Sequence, residues 1–292
     1  MSLLFGVLLD GVSLGLLFAL FAIGFAAVFS ILQEMNFAYG DALVMSTFIA
    51  VSALRVGLPL PIVVLAALAM GAGLGLAVNF IAMEPLRGRG GNLPLIVSGL
   101  GLALLIRNVV IHVWGPAPVA FPDLFATGSF TVGGQVLSST ILVSLVLAAL
   151  VVPALNLLLT RTRTGMYIRA IAQDPLAARL VGVPVRRTRA IVYMASGVLG
   201  SLAGLVFTSI FGVLSISVGF QGTIIAFIAV VLGGIGSLWG AVLGGLLVGL
   251  AEAFMAAYVS ALYKQTFTFV LLVVVLLILP AGILGRRQQA RV

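Results

Sequence analysis

Five ionisable side chains lie within or at the ends of long apolar stretches of this sequence. They are Asp10, Glu34, Asp41, Arg107 and Glu252. Charged groups are costly in a membrane, and those that occur there usually line a pathway or pair with another group. We expect Asp10 and Arg107 to extend their side chains to an interface. Glu252 is the most deeply placed acid, and either a bond to a neighbouring helix or contact with a transported substrate would explain it.

A short polar element, QEMNFAYGDALVMS, interrupts the apolar sequence at 33–46. It brings together an amide, a carboxylate, a glycine and two aromatic rings. Such groups suit the ammonium or polar end of an amino acid, so the element is a candidate pathway lining; a polar cytoplasmic turn between two spans is the alternative. The candidate residues are Asn36, Phe37, Tyr39, Gly40 and Asp41.

A glycine-rich run, VVLGGIGSLWGAVLGG, occupies residues 230–245. Gly233, Gly234 and Gly236 are close enough together to break a helix, and broken helices near the membrane midplane often line substrate paths. Glycines four residues apart, such as Gly11 and Gly15, also allow two helix backbones to approach closely. The run therefore predicts a pathway lining or a tight packing contact.

No catalytic or metal-binding pattern is present in the sequence. It contains no cysteine and one histidine, His112, which we expect at the outer end of a span. Nucleophile, zinc-ligand and phosphate-loop motifs are all missing. We therefore expect no enzyme activity, no metal and no cofactor in this chain.

The composition is that of a membrane protein. Hydrophobic residues make up 62% and charged residues 8% of the 292 residues, with a mean hydropathy of +1.32. A soluble domain has about 25% charged residues. The net charge of +8 lies in loops beside apolar stretches and without interleaved aromatic residues, which argues against nucleic-acid binding.

The apolar stretches predict an all-α polytopic transmembrane bundle that forms a single domain over residues 1–292. A membrane-crossing helix needs about 20 apolar residues. Nine crossings are expected, or eight if 223–245 is a re-entrant segment. The candidate spans are 4–32, 38–54, 60–82, 94–113, 138–159, 190–213, 223–236, 240–259 and 266–284.

The distribution of arginine predicts the orientation. Basic residues cluster at 83–92 (Arg87 and Arg89), at 161–189 and at the C-terminus (Arg286, Arg287 and Arg291), whereas 114–137 has none. Because basic loops stay in the cytoplasm, the N-terminus is expected outside and the C-terminus inside. Arg55 and Lys264 fall on the outer side, against this trend.

The loop at 161–189 holds seven of the fifteen basic residues and one acid. Its residues from Met166 to Val181 favour one or two short helices, with Pro175 placed to start the second. Apolar residues form a stripe expected to face the membrane domain, which leaves the other face for a cytosolic partner. The stripe consists of Ile168, Ile171, Ala172, Leu176 and Leu180.

Three segments resemble one transporter family. NFAYGDALVMS resembles the NFAHG signature of the inner-membrane permeases of branched-chain amino acid ABC importers, with Tyr39 where that signature has histidine. Residues 169–183 look like the cytoplasmic coupling segment of that family, and 230–252 is similar to its glycine-rich late spans. The resemblance covers nearly the whole chain and is to the shorter of the two permeases.

The resemblance implies an importer with several subunits in the bacterial inner membrane. The chain would pair with a second homologous permease, two cytosolic ATPases that bind the ATP, and a periplasmic binding protein. Leucine, isoleucine and valine are the expected substrates, with urea or short amides as alternatives. An ion-coupled secondary transporter is a competing class, for which Asp41 and Glu252 would be the titrating groups.

The same resemblance assigns the coupling helix to an ATPase groove, so that ATP-driven closure of the ATPases moves the helix and opens the pathway outward. The residues expected to couple are Arg169, Asp174, Pro175, Ala177, Ala178 and Gly182. The candidate pathway combines the polar element at 36–41 with Gly233, Gly234, Gly236 and Glu252.

Overall fold

The computed structural model describes residues 2–88, 91–124, 129–132, 135–279 and 282–285. Within them the chain is almost entirely helical, which confirms the all-α class. The helices are α1 (Ser2–Leu32), α2 (Tyr39–Arg55), α3 (Leu60–Ala77), α4 (Leu93–Trp114), α5 (Ser139–Arg161), α6 (Arg163–Gln173), α7 (Pro175–Leu180), α8 (Val185–Phe211), α9 (Ser217–Gly233), α10 (Leu238–Tyr258) and α11 (Lys264–Ile278).

Shorter elements connect these helices. A π-helical segment (Val78–Met83) and a 3-10 turn (Glu84–Leu86) extend α3, and a second 3-10 turn (Ala261–Tyr263) precedes α11. Strand β1 (Val119–Ala120) pairs antiparallel with β4 (Val213–Leu214), and β2 (Ser129–Val132) pairs antiparallel with β3 (Gln135–Ser138). The sequence analysis did not predict these strands.

Among the described residues, five helices are long and apolar enough to cross a membrane on their own: Leu4–Leu32, Leu60–Leu86, Leu93–Trp114, Val185–Phe211 and Leu238–Tyr258. Two shorter apolar helices are Ser217–Gly233 and Thr266–Ile278. Each of the nine predicted spans coincides with one helix, although the number of crossings stays a prediction. The multi-pass membrane class is supported directly by these lengths.

Helix α1 is the centre of the bundle and packs against α8, α9 and α10. Small residues make the closest of these contacts possible. A Cβ at Gly245 of α10 would lie 2.5 Å from the backbone nitrogen of Ala19, and one at Gly249 would clash with the backbone of Gly15. The four-residue spacing of glycines therefore serves close helix approach here, as one of the two interpretations predicted.

The loops with most of the described basic residues lie at one end of the bundle, which we call the coupling end. There Arg87 contacts Glu34 after α1, and Tyr193 near the start of α8 donates a hydrogen bond to the same Glu34. At the opposite end the Phe121 amide bonds to the carbonyl of Gly212. The prediction that 83–88 and 161–189 lie on the same side is therefore confirmed. The other basic residues on which the predicted orientation rests, Arg89, Arg286, Arg287 and Arg291, lie outside the described residues.

The connection between α1 and α2 turns back into the bundle. Gln33 has a positive φ of 55°, and the chain then runs inward before α2 starts at Tyr39. The Tyr39 hydroxyl donates to the carbonyl of Phe21, at 3.1 Å. Phe21 lies about 16 Å along α1 from its last residue, so α2 begins inside the protein. A turn between α1 and α2 is thus present, as the alternative interpretation expected, but its residues 36–41 are packed inside the bundle.

Candidate transport and coupling sites

The first turn of α2 is clamped between neighbouring helices. Gly40 donates its amide to Thr223 Oγ1 of α9 at 2.9 Å, and a side chain at Gly40 would clash with the carbonyl of Gly219. The Tyr39 ring is buried and packs edge-on against Phe25, with ring centroids 5.9 Å apart. In this chain position 39 thus serves packing through an aromatic ring and one hydrogen bond.

Asp41 and Arg107 form a two-point ion pair between α2 and α4. Arg107 Nε lies 3.0 Å from Asp41 Oδ1, and Nη2 lies 3.2 Å from Oδ2. The aspartate side chain is 4% exposed and the arginine 29%. The expectation that Arg107 reaches an interface is therefore wrong, because a buried carboxylate holds its guanidinium in the bundle. Phe220 of α9 covers that guanidinium, with its ring centroid 5.8 Å away.

Asn36 and Phe37 complete the polar element before α2. Asn36 is 5% exposed, and its Oδ1 is buried without a hydrogen-bond partner among the described residues. Phe37 is partly buried, and its backbone nitrogen faces Gly99 of α4. The element is thus brought together inside the protein, as a pathway lining requires, and its contact with substrate remains a prediction.

Two adjacent cavities lie between α1, α8, α9, α10 and α11. Their volumes are about 280 Å³ and 260 Å³, and they share Gln221, Ile225 and Glu252. Both cavities have a mixed wall: aromatic and aliphatic side chains line each of them, together with Gln221 and Glu252. The aromatic residues of the first are Phe18, Phe21, Phe207 and Phe211.

Glu252 lies where the two cavities meet. Its side chain is 3% exposed, and it contacts Lys264 Nζ at 3.8 Å and accepts a hydrogen bond from Thr268 at 3.3 Å. The predicted bond to a neighbouring helix is confirmed, because Lys264 and Thr268 both belong to α11. The carboxylate also lines both cavities. This position could not be predicted from the sequence, because it depends on which helices pack around α10.

The glycine run forms a turn between α9 and α10 at the coupling end. Gly234 has a φ of 109°, and the amides of Ile283 and Leu284 bond to the carbonyls of Leu232 and Gly233 at 3.0 and 2.8 Å. A side chain at Gly234 would clash with the backbone of Gly285. The predicted helix break is therefore present. The packing of the 282–285 segment against the turn explains why a glycine occupies position 234.

The remaining members of the run have similar local roles. A side chain at Gly233 would clash with the carbonyl of Gly240, where α9 and α10 meet. The Gly236 amide donates to Ser30 Oγ at 3.2 Å, and its φ is 97°. Neither of the two cavities is lined by Gly233, Gly234 or Gly236. Their role in a pathway is a prediction without a geometric counterpart here.

The basic loop forms a helical corner at the coupling end. The axis of α6 is bent by 79° from that of α5, and Thr162 caps α6 by accepting a hydrogen bond from the Gly165 amide at 3.0 Å. Asp174 caps α7 by accepting from the amides of Leu176 and Ala177 at 2.8 and 3.1 Å. Pro175 fills the first position of α7, as predicted.

The predicted single apolar stripe is divided between two surfaces. Ile168 and Ile171 of α6 are buried, as is Ala178 of α7. Leu176 and Leu180, by contrast, are 73% and 89% exposed. The prediction was wrong for these two leucines because a new helix starts at Pro175 and changes the direction of the faces. Ala172 is exposed as well.

The exposed residues form a surface that we call the α7 face, made of Leu176, Ala177, Leu180, Val181 and Gly182. All five are exposed, and Val181 is 79% exposed. Gly182 has a φ of 83° and open space around the position of a Cβ. Arg169 is exposed on α6 beside it. Of the predicted coupling residues, only Ala178 is buried under this surface.

A cluster of charged residues lies at the coupling end of the bundle, where the helical corner also lies. Arg87 donates from Nε and Nη2 to the two oxygens of Glu34 at 2.7 and 2.8 Å, and it also pairs with Glu84. Its Nη2 further donates to Asn79 Oδ1 at 3.0 Å, and the Tyr193 hydroxyl donates to Glu34 Oε2 at 2.7 Å. Burial works to lower the pKa of Arg87, but the Glu34 carboxylate outweighs it and the pKa is raised.

The charge cluster extends to the first turn of α8. Arg186 Nε lies 3.8 Å from Glu84 Oε1, and its guanidinium lies over the Phe80 ring at 5.4 Å. The cluster therefore connects α1, the end of α3 and the helix that follows α7. The sequence singled out Glu34 and Arg87 but did not predict that they pair with each other. The pairing of Glu84 with Arg87 could have been predicted, because the two residues are three positions apart.

The described residues contain no group of three or more His, Asp or Glu that could hold a metal ion. His112 is exposed near the end of α4. The functional geometry of the described residues includes the two cavities at Glu252, paired charges and an exposed helical corner.

Comparison with known proteins agrees with this geometry. Residues 7–277 match the family described as "Branched-chain amino acid transport system / permease component". The chain belongs to this family. The chain is 32% identical, over 97% of its length and 96% of the relative, to the high-affinity branched-chain amino acid transport system permease protein LivH of Escherichia coli K12.

Two further matches extend the comparison. The chain is 35% identical to the permease protein BraD of Pseudomonas aeruginosa, over 98% of this chain and 97% of the relative. Among solved structures, PsaBC from Streptococcus pneumoniae in complex with Fab matches with a TM-score of 0.53 at 10% identity, over 96% of this chain and 93% of the matched chain. The last match concerns the fold alone.

Proposed function

We propose that this chain forms one half of the translocation pathway of an ABC importer for branched-chain amino acids. The observation that carries this proposal is the family match over nearly the whole chain, together with an exposed helical corner at the coupling end. The other subunits would be a second homologous permease, two cytosolic ATPases and a periplasmic binding protein. The complex would lie in the bacterial inner membrane.

The α7 face is the proposed ATPase contact. Leu176, Leu180 and Val181 are large apolar residues with more than 70% of their surface exposed. Exposed apolar groups of this kind, bordered by charges such as Arg169, mark contact sites for other proteins. An apolar groove on an ATPase would cover them, and movement of the groove would displace α7.

Displacement of α7 would reach the bundle through α8. Val185 begins α8 a few residues after Gly182, and Ile171 and Ala178 pack with it in one buried cluster. The charge cluster then links α8 to α1 through Tyr193 and Glu34. Because packed interfaces adopt discrete arrangements rather than deforming continuously, this route lets ATPase closure move α1 and α8 relative to each other.

The apolar part of the cavity walls favours branched aliphatic substrates over urea or short amides. Urea has no apolar surface to bury against Phe207 or Ile225, so it would leave the apolar part of the wall without a partner. The competing class, an ion-coupled transporter, needs a carboxylate that gains and loses a proton. Asp41 and Glu252 are the candidates, and each is paired with a cation, Arg107 and Lys264.

Co-expression with the neighbouring transporter genes tests the proposal. We expect the two ATPases to copurify with this chain, and vesicles holding the complex to take up leucine only with ATP and the loaded binding protein. Replacement of Leu180 by aspartate should abolish ATPase capture without disturbing the bundle, because Leu180 is 89% exposed. Uptake driven by an ion gradient without ATPases would contradict the proposal.

The orientation has its own test. Ala177 is exposed on α7 and the chain has no native cysteine, so cysteine at this position is a single reporter. In cells that express this chain without the ATPases, which would otherwise cover α7, we expect it to react with an impermeant maleimide only after the cells are opened. Ala178, buried at 3% exposure, serves as the unreactive control. Labelling of Ala177→Cys in intact cells would reverse the orientation.

A further inference from the structure

We propose that the double cavity around Glu252 and Lys264 is a binding site for the zwitterionic head and aliphatic side chain of an amino acid. This inference rests on the proposed function and deepens it by naming what recognises the substrate inside the permease. Glu252 would accept the ammonium group, and Lys264 would bind the carboxylate. The aromatic wall of the first cavity would hold the side chain.

The volume of the site suits a small ligand. The two cavities of about 280 Å³ and 260 Å³ adjoin at Gln221, Ile225 and Glu252. Small-molecule sites are typically about 300–1,000 Å³, mostly apolar, and equipped with a few convergent polar groups. The volume of each cavity is close to the lower end of that range, which suits a ligand as small as an amino acid. Glu252, Lys264 and Gln221 are the convergent polar groups here.

The contacts of Glu252 leave it ready to exchange partners. Charge-assisted hydrogen bonds are about 2.7–2.9 Å long, whereas Lys264 lies 3.8 Å and Thr268 3.3 Å from the carboxylate. A ligand ammonium at normal distance would give Glu252 a better partner than it now has. The ligand carboxylate would do the same for the half-exposed Lys264, so the buried Glu252 carboxylate would remain compensated during binding.

The apolar wall has a fixed shape. Phe207 packs edge-on against Phe21, with ring centroids 5.4 Å apart, and its ring is tilted against that of Phe211, with centroids 4.5 Å apart. Both Phe207 and Phe21 line the first cavity beside Ile225. A branched aliphatic side chain there would bury its surface against rings that are already held in place, so its binding would require little reorganisation.

The position of the site fits substrate entry from the end opposite the coupling end. Lys264 is the first residue of α11 and its side chain is 48% exposed, while Phe211 is the last residue of α8. Glu252 is buried at 2%. A ligand would therefore meet the exposed cation first and the buried carboxylate second.

Equilibrium dialysis with radiolabelled leucine tests the site on the purified complex in detergent, without binding protein or ATP. Leucine is compared by competition with leucinamide, which lacks the carboxylate, and with 4-methylpentanoate, which lacks the ammonium. We expect leucine to bind at least about tenfold more tightly than either analogue, the effect of losing one charge-assisted hydrogen bond.

The variants separate recognition from structure. Glu252→Gln should remove the preference for leucine over 4-methylpentanoate, and Lys264→Gln should remove the preference over leucinamide. Arg55→Gln removes an exposed charge at the same end of the bundle as Lys264, lines neither cavity, and should keep both preferences. Asp10→Asn removes an exposed carboxylate that lines neither cavity and should also behave as the wild type.

Each result decides the proposal. Loss of one preference in each of the Glu252 and Lys264 variants, with both kept in Arg55→Gln, supports the site. Absence of leucine binding in the wild-type complex overturns it, as do unchanged preferences in Lys264→Gln, whose half-exposed side chain can be replaced without unfolding. Leucine uptake by the same complex with ATP and binding protein is measured separately, so an importer that lacks this site is distinguished from a chain that imports no amino acid.

Discussion

Arg107 of α4 and Asp41 of α2 meet as a buried, two-point ion pair, although 66 positions separate them in the sequence. The pair fixes the first turn of α2, which is also the point where α2 touches α9 through Gly40 and Thr223. Two helices that have few other polar contacts are thus held by charges that compensate each other. Phe220 shields the arginine from one side.

We predict that Arg107→Gln lowers the free energy of unfolding of the purified complex by about 3 kcal/mol, because it leaves the Asp41 carboxylate buried and uncompensated. The double variant Asp41→Asn with Arg107→Gln should lose less than the single one, since no buried charge remains. Denaturation in mild detergent measures both. A double variant less stable than Arg107→Gln alone would show that the pair contributes through shape rather than charge.

A second prediction concerns the charge cluster at the coupling end. Arg87→Lys should reduce uptake and the stimulation of ATPase activity by loaded binding protein, because lysine cannot reach both Glu34 oxygens in the forked geometry of a guanidinium. Tyr193→Phe removes one hydrogen bond to Glu34 and leaves the ion pair, so its effect should be smaller. Arg55→Lys, at an exposed site of the opposite end, is the control. Equal activity of Arg87→Lys and the control would exclude the cluster from coupling.

A third prediction uses the cap of α7. Asp174→Arg removes the acceptor of the Leu176 and Ala177 amides, costing the α7 helix about 1 kcal/mol, and should uncouple ATP hydrolysis from uptake while the complex still assembles. Asp174→Asn keeps an acceptor at the cap and should retain coupling. Uptake per ATP hydrolysed, measured in vesicles, distinguishes the two. Normal coupling in Asp174→Arg would mean that the ATPases do not depend on the start of α7.

Gly182→Asp provides an independent change on the α7 face. Gly182 has a positive φ, which an aspartate adopts at a cost of about 1 kcal/mol, and open space around its Cβ position. We expect normal membrane insertion with reduced uptake, because the new charge lies in the proposed ATPase contact. Gly57→Asp, at a positive φ in an open loop of the opposite end, is the matched control. Comparable uptake by both variants would contradict the contact.

The last prediction concerns the glycine turn. Gly234→Leu should lower the amount of assembled complex and uptake in parallel, because the side chain would displace the 282–285 segment that packs on it. Gly57→Leu has the same backbone strain and no clash, so it should assemble normally. Copurification of the ATPases measures assembly. Intact assembly with abolished uptake in Gly234→Leu would restore the predicted role of this turn as a pathway lining.

The sequence by itself determined the features that depend on composition and on local order. Apolar stretches of span length predicted each long helix, since a backbone in lipid must satisfy its hydrogen bonds within the helix. Arginine placed 83–88 and 161–189 at one end, and Pro175 after Asp174 predicted the start of α7. The NFAYGDALVMS element and the coupling segment were sufficient to indicate the family.

Only the tertiary structure decided which polar groups meet. Asp41 with Arg107, and Glu252 with Lys264, are pairs between different helices, and Glu34 with Arg87 joins two segments that connect helices. A helical period predicts which residues share a face, but it does not predict which helix packs against that face. For the same reason Leu180 was wrongly predicted to face the membrane domain, because the direction of its side chain depends on the turn at Asp174. In a chain with only 8% charged residues, each buried charge must find a partner, but the packing of the helices selects which one.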